Sequence, residues 1–477
     1  MSTKIAVALS DPGYSAPSQI GTSEYNGTSF TNYADVVTRT SPDPDLTNDV
    51  KVFWFKNKAG AERILVAETR YDPITYAPNP SLISVYDGTG SSWGSALFGP
   101  VELSFDGTTP TAANSIINLY GIVEKTVGTD HYLYGIDYDQ KTVFRLINSS
   151  ADNYAMDTAS ANQFVPPAGD RGVQTFGQDI VVVEETNSST SLIETFVCAL
   201  FLDGTNIYGG NYNSSLLYKL DTDLTQVGAV GHVGKNATGI KFRTVTTTGT
   251  HTTLYIPSIG GMQNFGSGPS NLIWNIDSKL QTVPVANITS VTDRLAVAAG
   301  GTGSDPDGFD IRDIAIDNSG NALVLVGCYY NDMSSPLFSY MTGKLYSLPV
   351  STIDTASNSL LDAGLGADNI TFGPLDGWVW ALAYDRLEDL TWFGQGNEFN
   401  IYDNPGSAPP SVIAGPVDSA SLGNFPSQRG NVNSFTVYGH VRLRSAHPSP
   451  AFHSNSSMAL KARPQFIEQL KQTAATK

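Results

Sequence analysis

The chain has 477 residues, with 27 Lys+Arg against 45 Asp+Glu and a formal net charge of −18. Charged residues make up only 15 %, below the ~25 % usual for globular chains, and turn formers are abundant, with 45 Gly and 26 Pro. That composition excludes a helical bundle or coiled coil, and the acidity argues against nucleic acid or an anionic membrane as partner.

Hydrophobic residues at 40 % suffice for a large core, so a disordered chain is also excluded. A surface poor in charge must lean on Ser, Thr, Asn, Gly and Tyr, the profile of a β-rich exported protein. No apolar run approaches the ~18 residues of a membrane span. The opening segment Met1–Ser10 is too short and weak for a signal h-region,. An extracellular or cell-surface protein would therefore have lost its leader.

Taken in chain order, six segments end in one alternating tag. These are Ser84-Val-Tyr-Asp87, Phe144-Arg-Leu-Ile147, Tyr218-Lys-Leu-Asp221, Trp274-Asn-Ile-Asp277, Tyr346-Ser-Leu-Pro349 and Asn400-Ile-Tyr-Asp403. Their third positions are separated by 60, 74, 56, 72 and 54 residues. Four antiparallel strands with turns need roughly 40–50 residues, and the excess reads as long loops on one rim. The fold expected is all-β, a β-propeller of about six blades over residues 1–444. Strand-like segments at the two ends, Lys4–Leu9 and Ser434–Leu443, would pair in one blade and close the ring,.

Two units carry a family resemblance. Asp313-Ile-Ala-Ile-Asp-Asn-Ser-Gly-Asn-Ala-Leu-Val-Leu-Val326, followed by Gly343-Lys-Leu-Tyr-Ser-Leu348, and Ile207–Asp221 resemble the repeats of NHL- and YVTN-type propellers. Those repeats read I-A-V-D-x-x-G-N followed by a tag ending in Asp. The resemblance implies a propeller of the exported, surface-layer-associated bacterial type. Its motifs encode hairpin geometry more than chemistry.

The densest acidic run is Gly303–Asp313, with Asp305, Asp307, Asp310 and Asp313 around Gly308. Asp305, Asp307 and Asp310 are the candidate calcium ligands, since calcium takes six to eight oxygens. The run lacks the EF-hand's twelfth-position Glu, and Arg312 supplies an internal counter-charge, so the metal-free acidic loop is the favoured reading and no other cofactor is implied. The second candidate site is aromatic. Alternation puts Trp378, Trp380, Leu382 and Tyr384 on one face beside Asp385. Trp378, Trp380, Tyr384 and Asp385 would form a sugar-stacking platform, although packing between blades is the favoured reading.

Cys198 and Cys328 each lie in an apolar run and read as buried free thiols rather than a disulfide,. His131, His232 and His251 have no carboxylate pattern near them and read as structural. Gly-x-Ser-x-Gly, His-Glu-x-x-His and P-loop patterns are absent,. Residues 441–477 carry a net +5, leaving −23 for the remainder. Residues 445–477 are expected to be a basic tail, with a short helix at Pro464–Gln472 or as an added extension.

The reading that results is a non-enzymatic, surface-layer-like propeller that binds a protein or polysaccharide partner through its loop-rich rim. The rivals are a propeller glycan hydrolase or calcium-dependent lactone hydrolase with channel carboxylates, and a phage or virion tail component.

Overall fold

The computed structural model describes residues 3–10, 19–38, 46–72, 75, 77–88, 95–170, 174–206, 211–212, 214–264, 272–297, 308–317, 319–330, 340–361, 365, 368–375, 379–385, 388–395, 398–402, 412–418 and 431–437. Most of them are strand, and the one α-helix among them, Val350–Thr355, spans six residues. The calcium candidates Asp305 and Asp307, the aromatic Trp378 and the tail 445–477 lie outside the described residues.

The chain forms a β-propeller of seven main sheets, each with four antiparallel strands in its path. Sheet 2 runs Leu46–Lys56, Glu62–Tyr71, Pro78–Asp87, Phe98–Val101, and sheet 3 runs Leu119–Val127, Asp130–Asp137, Val143–Ser150, Asn153–Met156. Sheet 4 is Gln174–Thr186, Ile193–Asn206, Ser214–Leu220, Gly231–Lys235. Sheet 5 is Lys241–Val245, His251–Ser258, Lys279–Pro284, Thr292–Ala296, with Ser359–Leu360 added in parallel at its edge. Sheet 6 is Gly308–Ile316, Asn321–Tyr330, Tyr340–Pro349, Asp368–Leu375, and sheet 7 is Val379–Asp385, Leu390–Gln395, Glu398–Tyr402, Val412–Asp418.

Sheet 1 is assembled from both ends of the chain. Asn431–Val437 pairs antiparallel with Thr3–Ser10, in the register Ile5 to Val437 and Val7 to Phe435. Gln19–Tyr25 and Phe30–Thr38 complete that sheet. Five of the six tags mark third strands, in sheets 2, 3, 4, 6 and 7. In sheet 1 the third strand is Gln19–Tyr25, whose sequence carries no tag. In sheet 5 the tag falls on Leu272–Ile276, a two-stranded extension with Gly261–Asn264.

Second strands explain the apolar runs. Val197, Cys198, Ala199, Leu200, Phe201 and Leu202 are all at most 1 % exposed, as are Ala322 through Val326. A strand covered on both faces by neighbouring sheets needs an unbroken apolar run rather than alternation. Each fully buried Leu or Val there contributes about 1.5–3 kcal/mol. Cys198 is free, and burial pushes its thiol up to about 12, so it behaves as a core hydrophobe,.

The Asp317–Asn321 hairpin shows how the turn sequence works. Asp317 Oδ1 accepts the Asn321 N–H at 2.6 Å, and Gly320 supplies the left-handed φ of 85° that the turn requires,.

First strands pack on one another from sheet to sheet, and most carry a register shift. Asp179 and Asp313 sit just after two of these bulges. Asp179 Oδ2 accepts the Ile240 N–H at 2.8 Å at the entry to sheet 5. Asp313 Oδ2 accepts the Leu382 N–H at 3.0 Å in the first strand of sheet 7, while Lys241 Nζ of sheet 5 lies 3.3 Å from Asp313 Oδ1. Gly177 permits the matching approach to sheet 3, because a Cβ there would lie 2.2 Å from the Asp137 carbonyl oxygen.

Two predictions follow from these buried carboxylates. Asp313→Ala strands the Leu382 N–H and the Lys241 ammonium, so urea unfolding should show a loss of about 2–4 kcal/mol. Unchanged stability would show that the bond between sheets is not structural. Asp137 accepts N–H bonds from Ile117, Asn118 and Gln140, yet burial and the Asp139 charge push it up to about 6. Its native value lies above its unfolded value, so its contribution is full below about pH 4 and is lost as pH rises through about 6. The stability of wild type minus Asp137→Asn should therefore fall by up to about 3 kcal/mol between pH 4 and pH 7. A flat or rising difference across that range would contradict the assignment.

Candidate functional site

Sheets 4 and 5 enclose a cavity of about 390 Å³ near their outer edges. One wall is the outermost strand of sheet 4, Gly231–Lys235, which turns Val233 and the Gly234 backbone toward sheet 5. The other comes from sheet 5, with Lys279 and Gln281 on its third strand and Asp293 on its fourth. Asp277 overhangs it from the preceding turn, held at a φ of +67°. Val233 and Val291 provide the apolar lining, and Ser214 adds a hydroxyl.

The floor is locked. Gln281 Oε1 accepts the Gly234 N–H at 2.6 Å, and its Nε2 donates to Asp293 Oδ1 at 2.5 Å. Lys279 Nζ donates to the other Asp293 oxygen at 2.9 Å. Burial pushes the Asp293 carboxyl upward, but these two donors and the Lys279 charge outweigh it and hold the group below the usual carboxylate range,. The close contact of the two walls depends on glycine at 234, where a Cβ would lie 2.2 Å from Ser258 Oγ.

The rim of the cavity is unlocked. Among the described residues, the side chain of Asp277 has no hydrogen-bond or ion-pair partner, and it is exposed. The site thus has a rigid floor of alternating donors and acceptors beneath one free carboxylate, that of Asp277.

A second polar pair crosses the same seam. His251 Nδ1 lies 2.8 Å from Glu185 Oε1, and Glu185 Oε2 accepts the Thr252 N–H at 2.7 Å. The residues are 66 apart in sequence, so local spacing carries no trace of the contact.

The residues singled out by sequence are placed elsewhere. Asp310 is fully buried in the first strand of sheet 6, where Arg312 grips both its oxygens at 2.7 and 2.9 Å. Its oxygens face this guanidinium rather than solvent. Among the described residues no group of three or more His, Cys, Asp or Glu converges as a metal site. Tyr384 and Asp385 are 1 % and 0 % exposed. Tyr384 packs with Leu382, Phe393 and Tyr402 and donates its hydroxyl to Asp389 at 2.6 Å, so its ring faces core. The Trp380 side chain, like all of Trp378, lies outside the described residues. The structure therefore brings Tyr384 into the core of sheets 6 and 7 and assembles no exposed platform from it and Asp385. Sequence reasoning missed Asp277, Lys279 and Asp293. The one available signal was that Asp277 ends a tag.

No known protein family matches the chain, and no curated protein matches it. Solved structures do. The complex of KlAtg21 with the coiled coil of AgAtg16 is 10 % identical, aligns over 87 % of this chain and 98 % of that chain, and scores 0.41 by TM-score. A fructofuranosidase from Schwanniomyces occidentalis complexed with fructose is 9 % identical over 93 % and 94 %, with a TM-score of 0.31. A GH43_1 enzyme from Xanthomonas citri is 9 % identical over 59 % and 81 %, with a TM-score of 0.27. Similarity this distant carries neither ligand nor activity to this chain. Among the described residues no helix is long and apolar enough to cross a membrane.

Gly234→Ala is expected to force the two walls apart. Overpacking of this kind costs about 1–3 kcal/mol, readable as a shift in urea midpoint. A neutral substitution would show that the walls do not meet as described.

Proposed function

We propose that this protein is a non-enzymatic binding propeller that holds a hydroxyl-rich polymer, a polysaccharide segment, at the outer rim between sheets 4 and 5. The observation that carries the reading is the cavity itself: a floor whose polar groups are already fixed by one another, beneath the exposed Asp277 carboxylate. Preorganised donors and acceptors bind hydroxyls with little ordering cost. A volume of 390 Å³ falls within the ~300–1,000 Å³ of small-ligand sites, enough for one stretch of a longer chain. An exported or cell-surface location accords with this role and with the charge-poor composition.

The hydrolase alternative is less well supported by the same residues. Glycan hydrolysis by two carboxyls needs one that keeps its proton as general acid. Asp293 is held charged and is occupied by Lys279 and Gln281.

Affinity electrophoresis through gels containing dextran, xylan or polygalacturonate tests the reading. At least one polymer should retard the protein, with Asp277→Ala restoring most of the mobility and no reducing ends released during prolonged incubation. No retardation by any of the three would overturn the binding role. Released reducing ends would replace it with the hydrolase.

A further inference from the structure

In sheet 1 the hairpin that joins Gln19–Tyr25 to Phe30–Thr38 turns through Asn26-Gly27-Thr28-Ser29, and all four residues are exposed. Tyr25 pairs with Phe30 at its base, and the Asn26 N–H donates to the Ser29 carbonyl at 3.1 Å. The Asn26 side chain folds back over the turn. Its Oδ1 accepts the Thr28 N–H at 3.0 Å and the Ser29 N–H at 2.9 Å, and its Nδ2 lies 3.4 Å from Ser29 Oγ. Gly27 holds a left-handed φ of 91°, and among the described residues its N–H has no acceptor. We propose that Asn26 is a self-modifying site, at which the Gly27 nitrogen displaces the side-chain amide as ammonia and leaves an aspartyl or isoaspartyl residue.

The reaction consumes water and no other reagent. The Gly27 nitrogen gives its proton to hydroxide and bonds to Asn26 Cγ, while the carbonyl pair moves onto Oδ1. That pair returns as the Cγ–Nδ2 bond breaks, and Nδ2 leaves as ammonia with a proton from water. The five-membered imide then adds water. Opening at Cγ leaves aspartate, opening at the backbone carbonyl leaves isoaspartate, and either way the Gly27 nitrogen regains its proton. The product carries one more negative charge.

The turn favours each part of this step. Charge developing on Oδ1 meets two N–H donors already in place, as in sites that stabilise an oxyanion. Nucleophile and electrophile belong to adjacent residues, so ring closure loses no translational freedom. Glycine has no Cβ to shield the attacking nitrogen.

Two other turns supply the comparison. Asn187 Oδ1 likewise accepts the Ser189 and Thr190 N–H groups, at 2.9 and 3.2 Å, but Ser188 follows it and its Nδ2 donates to Glu194 at 2.8 Å. Asn287 Oδ1 accepts the Thr289 N–H at 3.3 Å, but the buried, β-branched Ile288 follows it. Asn26-Gly27 is the one Asn-Gly pair in the sequence.

The folded protein is held at mildly alkaline pH, digested, and its peptides are followed by mass spectrometry for the gain that marks –OH in place of –NH2. Asn26 should convert about tenfold faster than Asn187 or Asn287, at a rate that rises with pH. Hydroxylamine, which opens the imide, should cut the folded wild type into residues 1–26 and 27–477, and Gly27→Ala should lose both the cut and the mass gain. Conversion of Asn187 or Asn287 as fast as Asn26, or a Gly27→Ala variant that is still cut, would overturn the assignment to this pair. A wild type cut only after unfolding in urea would show that the turn protects the amide, and would overturn the proposal as well.

Discussion

Two carboxylates, Asp179 and Asp313, define how neighbouring sheets meet. Each follows a bulge in a first strand, and each accepts an N–H from the sheet that follows it. Each also touches the sheet before it. Gly121 of sheet 3 faces Asp179 closely enough that a Cβ there would lie 3.5 Å from its carboxylate, and Lys241 of sheet 5 approaches Asp313. The bulge turns the side chain out of its own ladder and across the gap. The buried N–H groups at Ile240 and Leu382 would otherwise lack an acceptor, which costs about 1–3 kcal/mol each.

Fixing the sheets at their first strands has a consequence at the outer edge. Sheets pinned where they converge must diverge toward their fourth strands, and the wedge between them must be filled. Between sheets 4 and 5 the inner part is filled by apolar side chains, among them Leu200, Leu217, Leu254 and Val283. Farther out, the polar groups of Gln281, Lys279 and Asp293 take over and leave an open cavity. The proposed binding site is thus where apolar packing ends. Its rigidity comes from the same seam, through the contact of Gln281 with the Gly234 backbone.

The architecture was legible in the sequence because it rests on local signals. Turn chemistry such as Asp317–Asn321, and apolar runs in second strands, mark hairpins whatever their neighbours are. The tags located five third strands and the extension of sheet 5, and the sheet built from both chain ends escaped because its third strand has no such ending. Side-chain roles were less legible. Alternation correctly put Leu382 and Tyr384 on one face, but period two cannot say whether that face meets solvent or another sheet. The acidic run looked like a ligand set because spacing does not reveal direction: Asp310 turns to Arg312, and Asp313 crosses to Leu382. The cavity unites Gly234 with Asp277 and Asp293, residues from different hairpins, and no local pattern joins them.

The central claim, that Asp179 and Asp313 tie the first strands of sheets 4 and 6 to the sheets that follow, is tested most directly by residue-resolved amide hydrogen exchange. In the wild type the Ile240 and Leu382 amides should exchange slowly, with protection comparable to ladder amides in the same strands. Asp179→Ala should release Ile240 alone, and Asp313→Ala should release Leu382 alone. Fast exchange of both amides in the wild type, or unchanged protection in the two variants, would contradict the account.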